Sequence, residues 1–331
     1  MTAQYDVAAI GNALLDVIAP ADEAFLSGEG LAKGAMTLID QDRADALYAR
    51  MAHGLKTSGG SAANTVAGVG SFGGRSLFVG KVAGDAAGDE YAREMRGMGA
   101  RFDTPVLEGG PATGRCLINV TPDGERTMST FLGAALHLTP ADVDRETIES
   151  AAALYLEGYL FDPEEARRAF AKAAALSHGA GRAIAFSLSD AFVVERHRSA
   201  LLAFIDAEVD ILFANEVEVC SLFETDDFET AVSALRGRVV TAALTRGAKG
   251  SVVLNGAGDH IVPAAPVAKV IDTTGAGDQY AAGFLLGFTR GRDLATCGAL
   301  GSLAASEVIS HYGPRPETSL RELAAKAGLL S

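Results

Sequence analysis

Tryptophan is absent, and cysteine nearly so: Cys116, Cys220 and Cys297 are far apart and odd in number. Three scattered thiols offer no disulfide framework and no metal-ligand spacing. They read as small buried hydrophobes and place the chain in a reducing compartment, the cytoplasm. No apolar run is long enough to span a bilayer. The start, Met1–Gln4, lacks the basic residues and apolar stretch of a secretory signal. Positive charge is also scarce. Against 42 Asp and Glu stand 28 Lys and Arg, a net charge of −14 over 331 residues. Phosphate backbones select basic surfaces, so a nucleic-acid partner is excluded. An anionic ligand would have to be held by local positive potential against a repulsive overall field. The six histidines show no ligand spacing.

What is present is a hydrophobic fraction of 48%, enough for a large core in a globular protein. No linker or long repeat interrupts the chain, which reads as one domain over 1–331. From residue 152 onward, apolar runs alternate with helix-like segments. Strands are expected at Tyr5–Ile10, Leu154–Glu157, Arg182–Leu188, Val209–Ala214 and Val239–Thr245. Helices are expected at Pro163–Ser177, with Asp162 as N-cap, and at Phe192–Ile205 and Glu216–Phe223. This alternation predicts βαβ units, a sheet covered on both faces. A second texture lies in the first half. Gly114–Thr121 and Arg126–Phe131 flank Pro122-Asp123-Gly124-Glu125, a hairpin turn signal. With Val17–Ala19 and Ala35–Ile39 they predict a small separate sheet, its strands within about 13–40 and 101–132, placed as a lid.

Three motifs are decoys. Gly68-Val69-Gly70-Ser71-Phe72-Gly73 has the dinucleotide spacing, but its glycines end a helix-like run and precede a strand, the reverse of the required context. Gly80-Lys81 resembles a P-loop end, yet no Ser or Thr follows and Arg75 replaces the first Gly. Asn119-Val120-Thr121 is a sequon without a secretory signal.

The segment richest in chemistry is Asp272-Thr273-Thr274-Gly275-Ala276-Gly277-Asp278. Gly275, Ala276 and Gly277 can open a helix whose N–H groups receive a phosphoryl group. Asp278 would stand in that turn, able to accept a proton from a hydroxyl, and the helix start should favour its ionised form. A plain Gly-rich turn capped by Asp is the alternative. Asn215 and Glu218 lie one helical turn apart, suited either to a ligand or to capping. Asp16 can accept two hydrogen bonds, as vicinal hydroxyls offer, or cap a turn. Gly59 and Gly60 allow close backbone approach to a ligand or simply turn the chain into the next helix.

Asp272–Asp278 resembles the C-terminal signature of the ribokinase (PfkB) carbohydrate kinase family. Gly59-Gly60-Ser61-Ala62-Ala63-Asn64 resembles its N-terminal glycine signature, Asn215–Glu218 its Asn-x-x-Glu motif, and Thr245–Gly250 its nucleotide loop. The resemblance runs from about residue 10 to 316. It implies a three-layer α/β/α core with a small β-sheet lid. The implied activity is MgATP-dependent phosphorylation of a primary alcohol, with Asp278 as base. Within the family the chain is most similar to adenosine kinases, on Gly11–Asp16, Phe186–Ser189 and Asp210–Glu216. That implies adenosine to AMP, the alternative being a sugar kinase for ribose, fructose or a sugar acid. The ribose would be held by Asn12, Asp16, Gly59, Gly60 and Asn64, the nucleotide by Asn215, Thr245, Gly247 and Gly250, and Mg²⁺ through water by Glu218. Arg126 would stabilise the transferred phosphoryl. A monovalent cation such as K⁺ near Asp272, and a monomer or homodimer without membrane partner, complete what is implied. The glycine after the strand holding Leu156, Gly158, is followed by Tyr159 and Leu160, one aromatic where animal adenosine kinases carry two.

Overall fold

The computed structural model describes residues 3–330; Met1, Thr2 and Ser331 lie outside them. Its strands are β1 (Tyr5–Ile10), β2 (Leu14–Pro20), β3 (Met36–Leu38), β4 (Leu55–Gly59), β5 (Ser76–Val79), β6 (Gly114–Val120), β7 (Arg126–Phe131), β8 (Ala151–Glu157), β9 (Ala183–Ser187), β10 (Ile211–Asn215), β11 (Thr241–Thr245), β12 (Ser251–Asn255) and β13 (His260–Val262). Eight form one sheet in the order β13-β12-β11-β10-β9-β8-β1-β5. It is parallel from β5 to β11, with β12 and β13 antiparallel at one edge.

Side chains alternate across a strand, and here both faces are filled. Ala8, Ile10, Leu154, Leu156, Leu212 and Leu244 pack against Phe170, Val194 and Leu201 of the helices Glu164–Gly179 and Ala191–Glu208. The alternate residues Val7, Ala9, Tyr155, Phe213 and Ala243 pack against Val66, Phe284 and Leu300 of Ser61–Ser71, Ala276–Thr289 and Leu294–Val308. Two apolar layers on one sheet make the expected α/β/α sandwich. The chain runs from β1 to β5 on one side and from β8 toward β11 on the other. The carboxyl ends of β1 and β8 therefore border a topological switch point, where such sheets open a ligand crevice.

The other five strands form a second sheet, β3-β7-β6-β2-β4. Val17, Leu117 and Phe131 face Ala44 and Leu47 of the helix Gln41–Tyr48. The register places Asp16 beside Cys116 and Cys116 beside Thr130, with Ile18, Ile118 and Met128 in the next row, on the opposite face. β4 joins this sheet from outside the segments the sequence singled out.

Some local expectations shift. The helix after β8 starts at Glu164 with Pro163, not Asp162, as its cap. Asp162 instead accepts hydrogen bonds from Arg196 at 2.8 Å and lies 2.5 Å from His197 Nε2, so tertiary charge partners override the local cap. Gly68 of the decoy lets two helices touch: a Cβ there would meet Gln279 at 2.2 Å and Ala282 at 2.6 Å. Asn119 of the sequon is buried in the small sheet. Among the described residues no helix is long and apolar enough to cross a membrane.

Candidate active site

Two helix starts meet in the crevice. Gly275 caps Ala276–Thr289 with φ +77, and its missing Cβ would lie 2.6 Å from Pro314, so only glycine suits both the turn and the contact. The helix opens at Ala276, and Asp278 sits in its first turn. The N–H groups of Gly277 and Asp278 have no acceptor within the described protein, as helix starts leave them. The second start is Ser61–Ser71, capped by Gly60 at φ +103; a Cβ on Gly60 would strike Asn12 O at 2.1 Å.

Asp278 joins the two. Its Oδ1 accepts from Ser61 Oγ at 2.6 Å and its Oδ2 from Asn64 Nδ2 at 3.0 Å. Sequence reasoning gave weight to the helix start and expected an easily ionised carboxylate. Burial instead pushes its pKa up to about 6, with the Ser61 and Asn64 hydrogen bonds opposing the shift. Behind it, Gln279 Nε2 donates to Asn64 O and Pro314 O, both at 2.9 Å, fixing the loop at residue 314 to the base helix.

Glu157, at the end of β8, carried no sequence signal. Its Oε1 accepts from Asn12 N at 3.2 Å and Asn12 Nδ2 at 2.8 Å, and its Oε2 accepts from Ala62 N at 2.8 Å. One buried carboxylate thus holds both the turn after β1 and the start of the Ser61 helix. Burial raises its pKa to about 7. Asn12 Oδ1 is buried without a partner.

Asp16 leans over this floor from the small sheet. The residue is 8% exposed, and its carboxylate makes no hydrogen bond within the described protein. A Cβ on Gly59 would lie 2.3 Å from it, so Gly59 makes room for the carboxylate. Burial raises the pKa of Asp16 to about 7, against the pull of Arg315 and Arg126. Arg315, another residue without sequence signal, donates to Thr57 Oγ1, Ser58 Oγ and Asn64 Oδ1 at 3.1, 3.1 and 3.4 Å.

Along the same edge, Asn215 and Thr245 are paired across β10 and β11. Asn215 caps the helix Glu216–Leu222 and shares a reciprocal capping box with Glu218. Asn215 Nδ2 donates to Glu218 Oε1 at 2.6 Å and Asn215 N donates to Oε2 at 3.0 Å. Asn215 is thus the helix cap, and Glu218 is buried rather than solvated. Burial raises the Glu218 pKa to about 7, with Asp190 and Asp278 adding to it. Gly247 (φ +55) and Gly250 (φ +84) shape the β11–β12 connection; a Cβ on Gly250 would meet Val262 O at 2.1 Å. Arg126 is not a free hairpin side chain. Its Nη2 lies 2.9 Å from Asp272 Oδ2, both side chains nearly buried, and its Nη1 donates to Thr274 Oγ1 at 3.5 Å. Asp272 also accepts from Thr274 N, Thr274 Oγ1 and Gly313 N. Two aromatic rings are exposed: Tyr159, whose hydroxyl donates to Asp190 at 3.4 Å, and Phe192, 69% exposed, the second residue of the helix that Asp190 caps. Among the described residues no cluster of three or more His, Cys, Asp or Glu could cage a metal.

The family model for pfkB family carbohydrate kinases matches residues 30–320. The crystal structure of an adenosine kinase from Sinorhizobium meliloti is 48% identical, with a TM-score of 0.90 over 98% of this chain and 100% of that one. That of a probable sugar kinase protein from Rhizobium etli CFN 42 is 44% identical, with a TM-score of 0.92 over 99% and 100%. The adenosine kinase of Saccharomyces cerevisiae is 28% identical over 92% of this chain and 95% of its own.

Proposed function

The chain belongs to the pfkB family of carbohydrate kinases and is a phosphotransferase with an alcohol acceptor; on that premise we propose that it phosphorylates the 5′-hydroxyl of adenosine with MgATP. The observation that carries the reading is Asp278. It lies between Ser61 and Asn64 beside two N–H groups without acceptors. A hydroxyl seated against Asp278 passes its proton to the carboxylate as its oxygen attacks the terminal phosphorus of ATP, and ADP leaves. The N–H groups of Gly277 and Asp278 meet the negative charge on the phosphoryl in flight. Gly275 and Ala276 set the turn that aims them.

Asp16, with both oxygens unpartnered, binds the two ribose hydroxyls. Asn12, Gly60 and Asn64 shape the floor below, and Gly59 the space beside. Tyr159 and Phe192 offer flat apolar surface for a base, which a free sugar does not need. Asn215, Thr245, Gly247 and Gly250 border the nucleotide. Among the described residues no cage forms, so the donor set suits magnesium carried by the triphosphate, and Glu218, whose oxygens accept from Asn215, would hold the ion through water. When bound, the ion neutralises charge on the phosphoryl oxygens. Asp272 does not suit a monovalent cation as it stands, since Arg126 already neutralises it and three donors occupy its oxygens.

The small sheet acts as a lid, with Arg126 at its far end reaching the phosphoryl turn. Arg126→Ala is expected to lower kcat by about 10-fold or more with little change in the acceptor KM, as for a contact made in the transition state. Steady-state kinetics read the split, and a raised KM at constant kcat would make Arg126 a ground-state contact instead.

The relative from Rhizobium etli with a sugar-kinase name keeps a second reading, ribose or another sugar, in view. ATP turnover against a panel of nucleosides and free sugars decides. Adenosine is expected to exceed ribose in kcat/KM by at least ~10-fold, about 1.4 kcal/mol of transition-state binding. Ribose or fructose outrunning every nucleoside would leave only the sugar-kinase reading.

A further inference from the structure

Resting on those roles for Asp16 and Asp278, we propose that Arg315 is a positioning residue of the acceptor site, supplying the countercharge for Asp16 and orienting Asn64 against Asp278. Its guanidinium is surrounded by neutral acceptors: Thr57 Oγ1 and Ser58 Oγ at 3.1 Å, Met98 Sδ at 3.2 Å and Asn64 Oδ1 at 3.4 Å. Among the described residues no carboxylate pairs with it within 4.0 Å. A buried cation without a counterion is costly, so its compensation must come from just beyond this shell.

Two carboxylates lie there. Glu94 accepts from the backbone N–H of Ser58. Asp16 is the register neighbour of Thr57 on β2. The arrangement solves a specific problem. A direct Arg–Asp fork would fill the oxygens of Asp16 with donors and leave none for a ligand. With one layer of Thr57, Ser58 and Gly59 between, the field of Arg315 still reaches Asp16, while both oxygens stay open.

The second task concerns an amide. Asn64 can present either its oxygen or its nitrogen. Arg315 Nε donates to Oδ1, which leaves Nδ2 for Asp278 Oδ2. One cation thus sits behind both the diol-binding carboxylate and the base. The loop that carries it is anchored on each side. Gly313 N–H donates to Asp272 and Pro314 O accepts from Gln279, while Glu307 Oε1 accepts from the N–H groups of Glu317 and Thr318.

Arg315→Met and Arg315→Lys separate the two tasks. The charged groups facing Asp16 are Arg315 and Arg126, which favour its ionised form, and Glu94 and Asp278, which oppose it; Thr57 and Cys116 flank it on β4 and β6. Removing Arg315 takes away the larger of the two charges that favour the ionised form, so Asp16 holds its proton to higher pH. With the acceptor the wild type turns over, Arg315→Met is expected to raise the acceptor KM at least ~10-fold and to move the acid limb of kcat/KM upward by about one pH unit. The KM for ATP should stay within about 3-fold of wild type. Arg315→Lys keeps the charge and loses the fork, so its limb should stay in place while kcat falls several-fold.

A carbon-13 titration of the Asp16 carboxyl reads the same upward movement without acceptor or turnover. A folded Arg315→Met enzyme with unchanged KM and unchanged Asp16 titration overturns the proposal. If the Met variant does not fold, an Arg315→Lys enzyme with wild-type kcat overturns the orienting role, and one whose Asp16 titration moves upward overturns the countercharge. A wild type that phosphorylates sugars and no nucleoside sinks the adenosine reading alone, because the Arg315 comparison then runs on the sugar.

Discussion

Asp278→Asn is expected to lower kcat by at least ~10²-fold, toward ~10⁴-fold, the range for losing a positioned general base. The substitution nearly keeps the shape and removes the proton acceptor. It also disturbs one partner. Ser61 Oγ and Asn64 Nδ2 both donate to Asp278, and an amide at 278 offers only one acceptor oxygen. The amide keeps the Asn64 bond by turning its oxygen to Nδ2, and its NH₂ then faces Ser61 Oγ, which as a hydroxyl can accept. The ATP KM should change by less than about 3-fold, since the loss falls on the chemical step. The pH profile adds an independent check. Burial pushes Asp278 up to about 6 and Asp16 up to about 7, and both must be ionised to work. Wild-type kcat/KM should therefore fall as pH drops through this window. In Asp278→Asn the lower of the two ionisations should vanish from the profile. Purified mutant activity within a few-fold of wild type would remove Asp278 from the mechanism.

The core was legible because its signals are local and repeated. Strand runs such as Leu154–Glu157 and Ile211–Asn215 alternate with amphipathic helices, and both faces of the sheet fill as that order requires. The turns at Gly275 and Gly60 were legible for a similar reason, since both need φ values that glycine adopts without strain. The residues that escaped notice carry no local pattern. Glu157 follows an apolar strand, and only folding brings Asn12 and Ala62 to its carboxylate. Arg315 gains its place from Thr57, Ser58 and Asn64, more than 250 positions away. Phe192 reads as one more apolar residue of a helix until its exposure is seen. The acidity of Asp278 could not be read from its helix start alone, because Ser61, Asn64 and the desolvation around them come from a different part of the chain.

Asp16→Ala is expected to raise the KM of a riboside acceptor by ~10² or more, from the loss of two charge-assisted hydrogen bonds of about 1.5–3 kcal/mol each. The reasoning starts from what Asp16 lacks. It is buried on the inner face of the small sheet beside Gly59, yet no donor among the described residues meets it. A carboxylate in that state is incomplete until a ligand brings donors, and two adjacent hydroxyls fit its two oxygens. A 2′-deoxy acceptor would leave one oxygen unpaired, which costs wild type about 1–3 kcal/mol, or roughly 10- to 10²-fold in kcat/KM. With alanine at 16 neither acceptor has a partner there, so the two should be used at similar rates. kcat should fall less than KM rises, because the hydroxyls are held in the ground state and the transition state alike. The pH dependence has a fixed sign. Asp16 binds best when ionised, so the wild-type KM should climb as pH falls through about 7, and the alanine variant should lose that climb. Steady-state kinetics with adenosine and 2′-deoxyadenosine at several pH values measure all three effects. A wild type that uses both acceptors equally well would show that Asp16 does not grip the diol.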